Sequence, residues 1–183
     1  GFFLSSKDSA ATLVRPKDLY DGAIPSGNSV AFYNLVRLSR ITGSTTLFEK
    51  AADTARSFQR EIARHASGHS FFLMALNFAL GPSVEIVIAG DAESTDTKTL
   101  INALREIYAP NKVVLVRSDN DINKLVSFAP YVSSHVMLDG KATAYVCVEQ
   151  SCSFPTTDLN TMLENVRIKL DRGEAIGSNQ NEN

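Results

Sequence analysis

Three groups of residues have the types and spacing to do chemistry. The first is a polar stretch in which Arg15, Lys17, Asp18, Asp21, Ser26, Asn28 and Ser29 fall within fifteen positions. A pair of carboxylates such as Asp18 and Asp21 can act as general acid and base on a glycosidic bond. Arg15, Asp21, Ser26 and Asn28 can bind the hydroxyls of a polar ligand. The same residue types also cap helices and close turns: Ser26, Asn28 and Ser29 suit a helix start, and Asp21 suits the Gly22 turn. The residues leave both readings open.

The second group is Cys147 and Cys152, able in principle to form a reversible disulfide or to hold a metal. Their spacing is not Cys-x-x-Cys. The histidines, His65, His69 and His135, lie far away in sequence, so four zinc ligands are not evident and no metal or other cofactor is expected. A simpler reading makes one cysteine a small buried strand residue and the other a loop thiol. The third group is Ala89-Gly90-Asp91. Ligands of open α/β sheets sit beyond strand ends, but no Gly-rich phosphate motif accompanies this glycine, and a plain strand-to-helix turn explains it. No G-x-S-x-G nucleophile elbow occurs.

These residues must be positioned by two kinds of element. Arg15 to Ser29 holds two prolines and two glycines, which predicts a structured loop. Short strands are expected at Phe2–Leu4 and Thr12–Val14. Three helices follow. The first covers Asn28 to Thr42, apolar on more than one face, and Gly43 stops it. The second starts at Thr46, where Thr46-Leu-Phe-Glu49 has capping-box spacing, and carries one stripe of Leu47, Ala51, Ala55, Phe58 and Ile62. The third, Gly68 to Leu80, is almost wholly apolar. One half-wet helix between two covered ones is the pattern of a layered helical toroid.

After Gly81-Pro82 the pattern changes to strands at Val84–Ala89, Lys112–Arg117 and Ala142–Val148. Helices are expected between and after them, at Thr97–Tyr108, Ile122–Phe128 and Asp158–Leu170. Alternating strands and helices predict a parallel three-stranded sheet, order 2-1-3. The expected fold is therefore α+β: helices in residues 1–81, a small α/β domain in 82–172, and a flexible tail in 173–183 rich in Gly, Ser, Asn and Glu.

Composition narrows the function classes. The chain has 183 residues, 44% hydrophobic and 21% charged, as in ordinary globular domains. A net charge of −2 without a basic cluster argues against a nucleic-acid partner. No apolar run reaches the roughly 18 residues that span a bilayer, so no membrane partner is expected. Two cysteines do not make a disulfide scaffold, and suit a reducing, cytoplasmic setting. Gly1-Phe2-Phe3-Leu4 reads like the inside of a fold, as if chain were missing in front.

Phe2-Phe3, the stretch Val14-Arg-Pro-Lys-Asp-Leu-Tyr-Asp-Gly-Ala-Ile-Pro-Ser-Gly-Asn-Ser-Val30, Asn34 to Leu38 and Thr42-Gly43 resemble the YyaL-like thioredoxin-domain proteins. Glu85 to Gly90 and Asp139 to Cys147, with Cys152 and Pro155, look like the tail of that family. The resemblance covers about residues 1 to 170 and is most specific over Asp21 to Ser29. It implies a carboxy-terminal fragment that lacks the family's thioredoxin-like domain and most of an (α/α)6 barrel similar to sugar epimerases and six-hairpin glycosidases. Two functions are then expected. The piece forms part of a cavity for a carbohydrate-like molecule, or it is a structural or redox-partner module that packs on the missing domain. The missing amino-terminal part is its expected partner. Helices cut from a barrel would expose apolar faces, which also predicts self-association.

Overall fold

The computed structural model describes residues 1–6, 8, 14–148 and 151–178. It divides into two compact units, Gly1–Ser39 with Ser44–Leu80, and Arg40–Gly43 with Gly81–Asn183. The expected class holds: a helical region is followed by a small sheet with helices.

The first unit is built on α1 (Gly27–Thr42), α2 (Thr45–Arg64) and α3 (Ser70–Leu80). Gly43 ends α1 at φ 71°, a backbone conformation that side chains rarely adopt. The cap of α2 is Ser44, whose hydroxyl accepts from Leu47 N, and not Thr46. Amphipathic α2 buries Ala51 and Phe58 of its expected stripe with Thr54 beside them, while Leu47, Ala55 and Ile62 are half-buried. The core is aromatic. Phe32 and Phe72 stack at 4.4 Å between centroids, and Phe58 meets Phe72 edge-on at 6.3 Å. Helices α1 and α3 are not covered all round: Val30, Leu38, Met74 and Leu80 are exposed. Phe2–Leu4 forms no strand, and Thr12–Leu13 lies outside the described residues.

The second unit runs β1 (Val84–Ala89), α4 (Thr95–Glu106), β2 (Lys112–Arg117), α5 (Ile122–Phe128), β3 (Thr143–Val148), β4 (Ser151–Cys152) and α6 (Leu159–Ser178). The sheet order is β2-β1-β3-β4. The expected order 2-1-3 is present, but the sheet has a fourth strand and β3 runs antiparallel to β1, with Ala89 opposite Thr143 and Glu85 opposite Cys147. The reason lies after α5. A 3-10 turn at Pro130–Ser134 and a tight turn at Asp139-Gly140, both with positive φ, bring the chain back to the carboxyl end of β1. No second crossover returns it to the other end, so β3 must enter reversed. Helix α6 continues past Leu170 to Ser178, into the stretch expected to be a flexible tail.

Alternation sorts the strands' side chains onto two faces. Val84, Ile86, Ile88, Ala144 and Val146 pack with Leu100, Leu104, Met162 and Val166 of α4 and α6. Val87 faces Ala129 and Val132, with Leu115, Leu125, Tyr131 and Tyr145 around them. Gly90 permits the close approach of β1, α4 and β3: a Cβ there would collide with Thr97 Oγ1 and crowd Ala142. Gly90→Val should therefore cost about 1–3 kcal/mol by overpacking, read as a lower urea midpoint at unchanged slope. Among the described residues no helix is long and apolar enough to cross a membrane.

Candidate functional site

The polar stretch is drawn together by its own main chain. Asp21 is buried, with 9% of its surface exposed. One carboxylate oxygen accepts from Ser26 N at 2.8 Å and the other from Phe72 N at 3.0 Å. These are amides at the starts of α1 and α3, where backbone donors lack intrahelical partners. Burial alone would raise the Asp21 carboxyl, but the amides of Ser26 and Phe72 and the Ser29 hydroxyl outweigh it and hold it below the usual carboxylate range. A general acid needs a shift in the opposite direction. The geometry makes Asp21 a clamp on two helix ends.

Its neighbours are similarly engaged. The Ser26 hydroxyl accepts from Ser29 N and lies 2.9 Å from the Ser29 hydroxyl. Asn28 accepts from Phe2 N and donates to the carbonyls of Phe2 and Asp18. Arg15 donates to Ser5 O, and its guanidinium sits 4.2 Å from the centroid of the Phe3 ring. Asp18 accepts from Tyr20 N in a local turn. Arg15, Asp18, Asp21, Ser26 and Asn28 thus each bond main-chain groups of the protein itself.

The turn after β1 is local too. Asp91 accepts from Glu93 N, and Ser94 donates to Thr97 Oγ1. Asp96, just before the expected helix start at Thr97, accepts from Ala142 N at 2.7 Å and so ties α4 to the start of β3. The cap position belongs to Ser94.

The cysteines are the second site, and here the fold adds what the spacing could not show. Cys147 and Cys152 face each other across β3 and β4 and are joined by a disulfide. The hydrogen bond from Ser153 N to Val146 O flanks them, so they form a non-hydrogen-bonded pair, in which side chains stand close on one face. Cys147 is buried and Cys152 exposed. Neither is a solitary loop thiol.

His135, twelve positions before Cys147, lies beside the pair, and the ligand atoms of His135, Cys147 and Cys152 all fall within 4.8 Å of one another. Tyr145 carries it there. Tyr145 and Cys147 share a face of β3 by alternation. The Tyr145 hydroxyl accepts from Val136 N and donates to Val136 O, pinning the segment, and the His135 ring packs edge-on against Tyr145 at 4.4 Å. His135 Nδ1 stands 3.1 Å from Tyr131 O. Burial lowers the His135 pKa; the Tyr131 carbonyl opposes this, and nearby Arg117 reinforces it. Tyr131 is pushed up to about 12 by burial and by Glu85. No sequence signal placed His135 here, since nothing in residues 129–136 fixes how that segment packs.

The disulfide closes a loop of only six residues, a separation of 5. Chain-entropy reasoning gives such a loop about 2 kcal/mol. Reduction should therefore lower the stability of the α/β unit by about 2 kcal/mol without unfolding it. Far-UV circular dichroism with and without dithiothreitol checks this; loss of the strand signal at room temperature would contradict it.

No family model and no solved structure matches the chain. The chain is 36% identical over 159 residues to spermatogenesis-associated protein 20 of Homo sapiens, covering 86% of this chain and 20% of that protein. It is 34% identical to the Mus musculus protein of the same name over 159 residues, with the same coverage. An uncharacterized protein of Caenorhabditis elegans is 26% identical over 166 residues, 90% of this chain and 22% of that one. The chain spans about a fifth of the length of the curated relatives it matches. These relatives support the resemblance to the thioredoxin-domain family.

Proposed function

We propose that this homologue of spermatogenesis-associated protein 20 supplies a thiol–disulfide module to a longer thioredoxin-domain protein. The observation that carries the reading is the bond between Cys147 and Cys152, with one sulfur on an exposed residue and a histidine beside it. In the exchange, a thiolate of a protein dithiol attacks Cys152 Sγ. A mixed disulfide forms and Cys147 leaves as the thiolate. The partner's second thiol then attacks the mixed disulfide and frees Cys152. Two electrons pass to the pair, and the partner ends as a disulfide.

The second unit runs as a parallel β-α-β pair followed by antiparallel β3, β4 and α6. The turn after β1 and the start of α4 hold no cysteine, so redox chemistry in this unit rests on Cys147 and Cys152. The rival reading is a barrel cavity for a carbohydrate-like molecule, served by Asp18, Asp21, Ser26 and Asn28. It is weaker because those side chains already bond main-chain groups.

Incubation of the native oxidised chain with a thioredoxin-like dithiol protein, followed by alkylation and mass measurement, tests the proposal. Two added alkyl groups are expected. A dithiol partner lacking its resolving cysteine should be trapped on Cys152. A pair alkylated only after denaturation would overturn the reading.

A further inference from the structure

We propose that reduction turns Cys147, Cys152 and His135 into a binding site for a divalent zinc ion, with two thiolates and one imidazole as ligands and a fourth position open to solvent. The inference deepens the redox reading and rests on the pair being reducible.

The argument begins with positions. The two cysteines face each other across adjacent strands, so both sulfurs stand on one face of the sheet. Tyr145, two residues before Cys147, lies on that face and holds the His135 ring against it. The three ligand atoms already fall within 4.8 Å of one another. Tetrahedral zinc, with bonds of about 2.3 Å to sulfur and about 2.0 Å to nitrogen, places its ligand atoms roughly 3.5–3.8 Å apart. Breaking the S–S bond lets the sulfurs separate to that distance by side-chain rotation, and no strand need move.

The second shell is also present. In the neutral tautomer that donates to Tyr131 O, 3.1 Å away, His135 Nδ1 carries the proton. Nε2 is then the unprotonated nitrogen. Metal-binding histidines are commonly oriented in this way, by a carbonyl on the other ring nitrogen. Ligand chemistry selects the ion. Thiolate and imidazole suit zinc and disfavour magnesium or calcium, which take oxygen ligands. Two thiolates balance the ion's double charge. Three protein ligands leave one position for water, and exposed Cys152 puts that position at the surface.

Metal and disulfide exclude each other, because the sulfurs that would bind the ion are the ones joined in the bond. Oxidation by a protein disulfide makes the S–S bond from the two thiolates, transfers two electrons to the partner, which takes up two protons as its dithiol, and releases the zinc ion to solvent. The site would therefore report redox state as metal occupancy.

The test uses the whole chain, reduced with dithiothreitol and desalted without oxygen, so that failure to exchange with a dithiol protein and failure to bind metal are read separately. Titration with Co2+, then displacement by Zn2+, should give one ion per reduced chain, with thiolate-to-cobalt charge-transfer and tetrahedral visible bands. The oxidised chain should give neither. Zn2+ should shift the ring signals of one histidine, His135, and leave those of His65 and His69 in place. His135→Gln and Cys152→Ser should each weaken Zn2+ binding by more than the roughly 10–100-fold that follows loss of an outer-shell partner. Cys152 is exposed, so its serine variant keeps the test decisive if His135→Gln fails to fold. No metal bound by the reduced chain, unchanged His135 signals, or equal affinity after Cys152→Ser would each overturn the proposal.

Discussion

Asp21→Ala is expected to destabilise the helical unit by about 3–4 kcal/mol, since it leaves two helix-start amides without an acceptor in a buried place. Removing a buried acceptor leaves each donor unpaired, at a cost of about 1–3 kcal/mol. Asp21 accepts two hydrogen bonds, from Ser26 N and Phe72 N, at 2.8 and 3.0 Å. Asp21→Asn keeps one carbonyl acceptor and should cost about half as much. The pH dependence follows from the lowered carboxyl. A depressed folded-state value means that the stabilisation is complete above the unfolded value, near 3.9, and is lost as pH falls through the lower folded value. Wild type should therefore lose stability below about pH 4 more steeply than Asp21→Ala. Urea unfolding at neutral and acidic pH measures both effects. The sign separates clamp from catalyst. Replacing a carboxylate held unfavourably for chemistry tends to leave stability unchanged or raise it. An unchanged or raised midpoint for Asp21→Ala would return the residue to the list of candidate acids.

The same residue shows how far the sequence could be read. Its type and place before Gly22 marked a turn or a cap, and Ser26 and Asn28 marked the start of α1. The partner amide of Phe72, 51 positions away, left no trace in local pattern. The regular elements were more legible. Val84–Ala89 and Lys112–Arg117 are strands over the expected bounds, because runs of β-branched and aliphatic residues between turn signals admit little else. Pro130 ended α5 at Phe128 for the reason proline always does. The direction of β3 was not legible, since Asp139-Gly140 sets where the strand enters, and alternation is identical in both directions. β4, at two residues, is too short to carry a period. Most consequential for function, the distance of His135 from Cys147 in sequence said nothing about its distance in space. A strand's alternation tells which residues share a face, but the segment that covers that face is chosen by packing.

Phe72→Ala should be as damaging as the loss of Asp21, and for a linked reason. Phe72 is fully buried, stacked on Phe32 at 4.4 Å and met edge-on by Phe58 at 6.3 Å. Truncating such a ring costs about 3–5 kcal/mol, part from lost transfer and part from the cavity left behind. Two neighbours on α3 calibrate it. Met74, on the exposed side, should change stability by no more than about 0.5 kcal/mol when replaced by Ala. Ala75 is buried but small, so Ala75→Leu should destabilise by overpacking rather than by a cavity. The amide that Asp21 holds belongs to Phe72 itself, so ring and cap position the same residue. Without the ring, the first turn of α3 is free to shift and the cap loses part of its geometry. The double variant Asp21→Ala with Phe72→Ala should then lose less than the sum of the single losses. A coupling above about 0.5 kcal/mol in a double-mutant cycle is expected, beyond the scatter of independent sites. Hydrogen exchange at the α1 and α3 amides reads the cycle directly, since both helix starts converge on this carboxylate. Strict additivity would mean that the ring packs the core without positioning the cap, and the polar loop would then have to be held by Ser26, Asn28 and Ser29 alone.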